Sequence, residues 1–106
     1  MEASSRLDDL VHIGARLHGV LEQENAALRD HGPERIGPLL EEKLTLVRVY
    51  ESRVKGLAEI PDELAETDVE LRTHTRALGE RINALAEENT RLIHAALEAN
   101  KRVLDV

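Results

Sequence analysis

Apolar residues recur along this chain at alternating steps of three and four, the spacing that lines one face of a helix. The first such run is Leu7, Leu10, Gly14, Leu17, Leu21, Glu24 and Leu28, widened by Ile13, Val20 and Ala27. It predicts a helix over about 5–31. Ser4 or Ser5 stands at the cap, and Asp8 and Asp9 follow in the first turn, where an N-terminal dipole favours negative charge. Gly14 on this seam weakens the helix slightly but lets a neighbour come close. "RDHGPERIGP" then breaks the pattern. Gly32 suits a helix C-terminus and Pro33 cannot continue one, while Gly37-Pro38 is a second break, with proline suited to a new first turn. Residues 33–36 can form a short turn of their own.

A second helix is predicted over about 38–59. Its seam is Leu40, Lys43, Val47, Tyr50, Val54 and Leu57, broadened by Leu39, Leu44 and Leu46, so it should be the most buried of the three. Lys43 is out of place there. The simplest expectation is that its stem packs while its ammonium reaches solvent; a buried ion pair is the alternative. Ile60-Pro61-Asp62 marks the next start, and a third helix is predicted over about 62–105. Its seam runs Leu71, Thr75, Leu78, Ile82, Leu85, Asn89, Leu92, Ala96, Ala99, Val103 and Val106, a coiled-coil period. Gly79 lies off that seam. Asp68–Arg72, Glu87–Arg91 and Glu98–Arg102 are spaced as helical ion pairs in the favourable order. Asn89 is a polar interruption of a kind that fixes register or partner.

The 106 residues thus predict a single all-α domain. Its architecture is an antiparallel three-helix bundle, or coiled-coil hairpin, whose long C-terminal helix overhangs the first two. Short connections make successive helices antiparallel. The third starts level with the first and outruns both after roughly residue 88, at about 1.5 Å per residue. The stripe past that point has no cover within the chain and reads as an interaction surface. It is expected to be mobile or self-associated alone, and ordered when a partner helix lies along it; a homodimer or a fold-back is the even alternative.

Composition narrows the chemistry. With no Cys, Trp or Phe and one Tyr, neither a disulfide framework nor a thiolate metal site is available. A net charge of −7 argues against binding a phosphate backbone, which needs clustered Lys and Arg. The apolar runs are far too short for a transmembrane helix, and MEASSRLDDL is not the pattern of a signal peptide, so a cytoplasmic location without membrane insertion is expected. His12, His18, His31, His74 and His94 form no HExxH or Glu-x-x-His motif. Glu70–His74 and His94–Glu98 read as surface pairs, and a zinc site from scattered histidines has little support. No phosphate-cradling glycine loop and no nucleophile context occur. The small helical chorismate mutases need several cations converging inside the bundle, and Arg6, Arg16, Arg29, Arg48 and Arg53 are spread out instead. The expectation is no enzyme, no cofactor, no metal and no catalytic residue.

The stretch "LHGVLEQENAALRDHGPERIGPLLEEKLTLVRVYESRV" resembles the FlgN-type flagellar export chaperones. The similarity rests on Leu21, Glu22, Glu24 and Leu28 before the turn, and on Leu39, Leu40, Glu41, Glu42, Lys43 and Leu46 after it. "LAEENTRLIHAAL" is similar to the family's C-terminal helix, with Asn89 ahead of Leu92 and Ile93. The resemblance spans roughly residues 7–104. It implies a cytoplasmic chaperone of type III flagellar export that holds the C-terminal helical segment of hook–filament junction proteins and prevents premature association. By that resemblance the partner-binding residues are Asn89, Leu92, Ile93, Ala96, Leu97, Ala99, Val103 and Leu104. Export-apparatus components are further partners it implies, with Tyr50 a candidate contact, although a packed seam residue is the simpler reading. The alternative is a generic coiled-coil adaptor or a structural homodimer, and a weak homodimer is compatible with either.

Overall fold

The computed structural model describes residues 2–30 and 33–104, except for the side chains of Pro33 and Leu104. The chain is an all-α helical bundle. Helix α1 spans Ala3–Arg29, a 3-10 turn covers Pro33–Arg35, α2 spans Ile36–Leu57, the short α3 spans Pro61–Ala65, and α4 runs over Val69–Leu104. The helix after the first break thus begins at Ile36, two residues before the expected Pro38. The expected helix ends at Gly32 and His31 lie outside the described residues, as do Asp105 and Val106.

Two boundaries differ for local reasons. Helix α1 begins at Ala3, ahead of both serines, and its cap residue Glu2 makes no side-chain cap bond. The long C-terminal helix does not start at Asp62. Pro61 opens a five-residue helix with Asp62 and Glu63 in its first turn, and the chain then breaks at Glu66–Asp68. The Thr67 hydroxyl donates to the Leu64 carbonyl at 2.6 Å. The Asp68 carboxylate accepts the Glu70 N–H at 2.8 Å. Short polar side chains compete with the helix ladder in this way, and an aspartate before the first turn is a strong N-cap. Asp68 therefore caps α4 instead of pairing with Arg72.

Helix α1, not α2, is the buried one. It lies between α2 and α4 and packs along both, and its Leu7, Leu10, Leu17, Val20, Leu21 and Ala27 are buried. Only Lys43 and Leu46 of α2 are buried. Helix α2 is rotated by about one position from the expected seam, so that Leu39, Lys43, Leu46 and Tyr50 face inward, while Leu40, Leu44 and Val54 are exposed. Lys43 and Tyr50 belong to both faces, so the difference lies in Leu39 and Leu46 turning inward; Lys43 bonds Glu24, and Arg53 Nε donates to the Asp9 carboxylate at 2.7 Å. Both anions belong to α1. Leu17, Val20, Leu21, Leu46, Leu78 and Ile82 form the apolar core, with Val47, Tyr50 and Leu85 packed against it.

Gly14 is where the three long helices meet. A Cβ there would lie 2.9 Å from Leu78 Cδ2, 3.2 Å from Tyr50 Cε2 and 3.3 Å from Ile82 Cδ1. Gly79, off the expected seam, faces the Tyr50 hydroxyl. Replacing Gly14 with valine forces these side chains apart. Overpacking of this kind should lower stability by about 1–3 kcal/mol, read as a lower midpoint of urea unfolding. An unchanged midpoint would mean that the helices can spread at no cost.

Candidate functional site

The polar exceptions on the three seams meet at one level of the bundle. Glu24 of α1 is 1% exposed, Lys43 of α2 is 9% exposed, and Asn89 of α4 is buried with them. Lys43 Nζ donates to Glu24 Oε1 at 2.7 Å and to Asn89 Oδ1 at 3.1 Å. Asn89 Nδ2 donates to the same Glu24 oxygen at 2.7 Å and to Asn25 Oδ1 at 2.9 Å. Asn25 in turn donates to the Leu85 carbonyl at 3.2 Å. The Lys43 ammonium therefore does not reach out to solvent: the buried ion pair, not the snorkelling stem, is what forms. Asn89 uses both of its N–H donors and accepts from Lys43, while Glu24 Oε2 is buried without a hydrogen-bond partner among the described residues.

Beside this layer runs a groove. Helices α2 and α4 pack on α1 but hardly on each other, leaving a cleft of about 270 Å³ between them. Leu17 and Leu21 of α1 form its floor, Val47 and Glu51 stand on the α2 side, Asn83, Ala86 and Thr90 stand on the α4 side, and Lys43 and Asn89 line it as well. Tyr50 at its lower end is half-buried, and burial raises its phenol above the ordinary value of 10.0. A larger hollow, about 470 Å³, opens between α1 and α2 along Ile13, Pro38, Thr45 and Val49. Arg16 and Glu42, both lining it, pair at 3.9 Å.

The residues expected to bind a partner divide into three groups. Asn89 is inside the bundle and occupied. Leu92, Ile93 and Ala96 are half-buried. Leu97, Ala99 and Val103 are exposed, Leu97 at 61% and Val103 at 73%. Leu104 closes α4, and its side chain lies outside the described residues. The free end is therefore shorter than residue 88 onward. Asn25 meets Asn89 and Gly14 meets Leu78 and Ile82, so α1 and α4 are parallel. Arg29, the last residue of α1, lies level with about residue 93 of α4. Ile36, which opens antiparallel α2, lies level with about residue 96, at the shared rise of about 1.5 Å per residue. Only the turns beyond that level stand clear. Arg29 also pairs with Glu88, fastening α4 just below it.

The four described histidines do not converge. His12 bonds the Asp8 carbonyl and His18 pairs with Glu22, each within α1. His74 and His94 are exposed, about 30 Å apart along α4. Among the described residues no three His, Asp or Glu side chains assemble into a metal-binding group, and no helix is long and apolar enough to cross a membrane. Compared with protein-family models, with curated proteins and with solved structures, the chain matches none.

Reading each seam separately missed the polar layer. The signal was present, since Glu24, Lys43 and Asn89 each interrupt an apolar run and helix lengths set them at similar heights. Asn25, one position off the α1 seam, carried no such signal.

Replacing Lys43 alone with methionine leaves the Glu24 carboxylate buried without its cation, at a cost of about 3–5 kcal/mol. Replacing Glu24, Lys43 and Asn89 together with Leu, Met and Leu should restore stability to about the wild-type value or above, measured by urea unfolding. A harmless single change, or a triple variant as unstable as the single one, would contradict the arrangement.

Proposed function

We propose that this chain is a helix-capturing export chaperone of the FlgN type. It acts in the cytoplasm and holds the C-terminal helical segment of a hook–filament junction protein, covering that segment's apolar face before export. The observation that carries this reading is the unpaired end of α4, where Leu97 and Val103 stand at 61% and 73% exposure with Ala99 between them. An amphipathic helix laid along this end extends a seam that the chain itself covers only as far as Ala96. The resemblance of residues 7–104 to the family supports the partner's identity, and export-apparatus components are further partners in this reading.

Capture and release both follow from the same residues. Leu97 and Val103 supply apolar area, while Ala95, Ala96 and Ala99 keep the contact shallow. A shallow contact limits affinity and suits a protein that must hand its partner on. The acidic balance of the chain, with 21 Asp and Glu against 14 Lys and Arg, keeps the complex dissolved and disfavours wrong partners. Covering a surface needs no catalytic residue, cofactor or metal.

Titration calorimetry of the full chain against a purified hook–filament junction protein tests the reading. Binding near one to one is expected. Leu97→Asp and Val103→Asp should each weaken it by about tenfold or more, and removal of the residues after Ala96 should abolish it. That cut keeps Asn89 and its polar layer, so loss of binding would not reflect loss of the fold. Failure of the wild-type chain to bind, or a tight homodimer that already buries Leu97 and Val103, would contradict the proposal and favour a structural coiled coil.

A further inference from the structure

We propose that the groove between α2 and α4 is the seat of a fourth helix, and that Lys43 reads that helix through one neutral oxygen acceptor, an Asn or Gln on its seam. The inference builds on the helix-capture reading and extends the contact from the tip of α4 onto the bundle itself. Its first ground is the periodicity of the walls. On α2 the positions Leu40, Leu44, Val47, Glu51 and Val54 advance by four, three, four and three; on α4, Asn83, Ala86, Thr90, Ile93 and Leu97 advance by three, four, three and four. Each row follows one face of its helix. Val47, Glu51, Asn83, Ala86 and Thr90 line the cleft. Leu40 and Leu44, at 40% and 49% exposure, continue the α2 row toward the level of Leu97. The groove and the free tip therefore form one surface, long enough for a helix of several turns.

The second ground is hydrogen bonding. A lysine ammonium carries three N–H donors. Lys43 spends two on Glu24 and Asn89, and Lys43 lines the cleft. A helix seated over it that offered only apolar side chains would strip the third donor of water without replacing the bond. A carboxylate would place a second negative charge beside buried Glu24. An amide oxygen satisfies the donor and adds no charge. Glu24, Lys43 and Asn89 already form the polar layer of three helices, and the incoming amide joins it at Lys43, as single polar seam residues set register in coiled coils.

The test uses the full chain, labelled with nitrogen-15, and two designed amphipathic peptides of about 21 residues, three heptads with a Leu and Ala seam. They differ only at the central seam position, Gln in one and Leu in the other. The Gln peptide is expected to shift the backbone amides of residues 40–54 and 83–97 and to bind at least about fivefold more tightly than the Leu peptide. The Leu44→Asp variant, altered at an exposed position, should bind it about tenfold less well. Shifts confined to residues 97–104, equal affinities for the two peptides, or no binding of either would overturn the groove. Because the probes are designed peptides, the outcome is separate from that with the junction protein. A chain that binds the junction protein but shows no preference between peptides keeps the proposed function and loses the keyed groove. A chain that prefers the Gln peptide at these amides but ignores the junction protein keeps the groove and loses the named partner.

Discussion

The Lys43–Glu24 ion pair, bridged by Asn89, decides how the three long helices of this protein sit on one another. Taking two charges out of water is expensive, and their attraction in the interior repays the expense only when the surrounding bonds are made. Here most are made, through the Asn89 and Asn25 amides and the Leu85 carbonyl. An apolar layer would hold the helices as well or better. It would not say which way to rotate α2 or how far to slide α4. One residue from each helix must arrive at the same level for the bonds to close, which leaves one register.

Two consequences follow from that register. Helix α2, turned so that Lys43 points at α1, leaves Leu40, Leu44 and Val54 on the outside. Those residues belong to no core, and they share a face of α2 with Val47 and Glu51, which line the cleft. Helix α4, held at Asn89 and again by Glu88 to Arg29, runs on past the ends of its neighbours and presents Leu97 and Val103 to solvent. The exposed apolar surface of this chain is thus the other side of how its buried polar layer is arranged. Isolated helix ends are marginal in water, and a surface left open this way suits a chain that acts by lending cover to another helix.

Much of the fold is legible in the sequence, because three-and-four spacing and proline breaks report directly on helices. The α4 seam from Leu71 to Ala96 follows its expected positions through half-buried and buried residues. The inward face of α2 differs from the expected seam because its apolar residues are too many: Leu39, Leu40, Leu44, Leu46 and Val47 allow several inward faces, and Lys43 lies on more than one of them. Periodicity carries no information about that choice. The break at Thr67-Asp68 was hidden for a related reason, since side-chain bonds to the backbone end the helix there without any glycine or proline. Of the expected site, Leu97, Ala99 and Val103 are exposed, whereas Asn89 serves the interior. Its seam position signalled importance correctly but could not say whether the bonds would be made within the chain or across to a partner.

The central claim is that the polar layer anchors α4 to the bundle and that its end beyond the other helices is left without cover. Amide hydrogen exchange along α4 tests this directly, since protection tracks local opening. Residues 78–93 should exchange with the protection of the α1 core, falling steeply after about residue 96, with 98–104 exchanging near the rate of an unprotected helix end. Protection that continues undiminished to Leu104 would mean that the end is already covered, and protection lost at the level of Asn89 would mean that the Glu24–Lys43–Asn89 layer does not hold α4 in place.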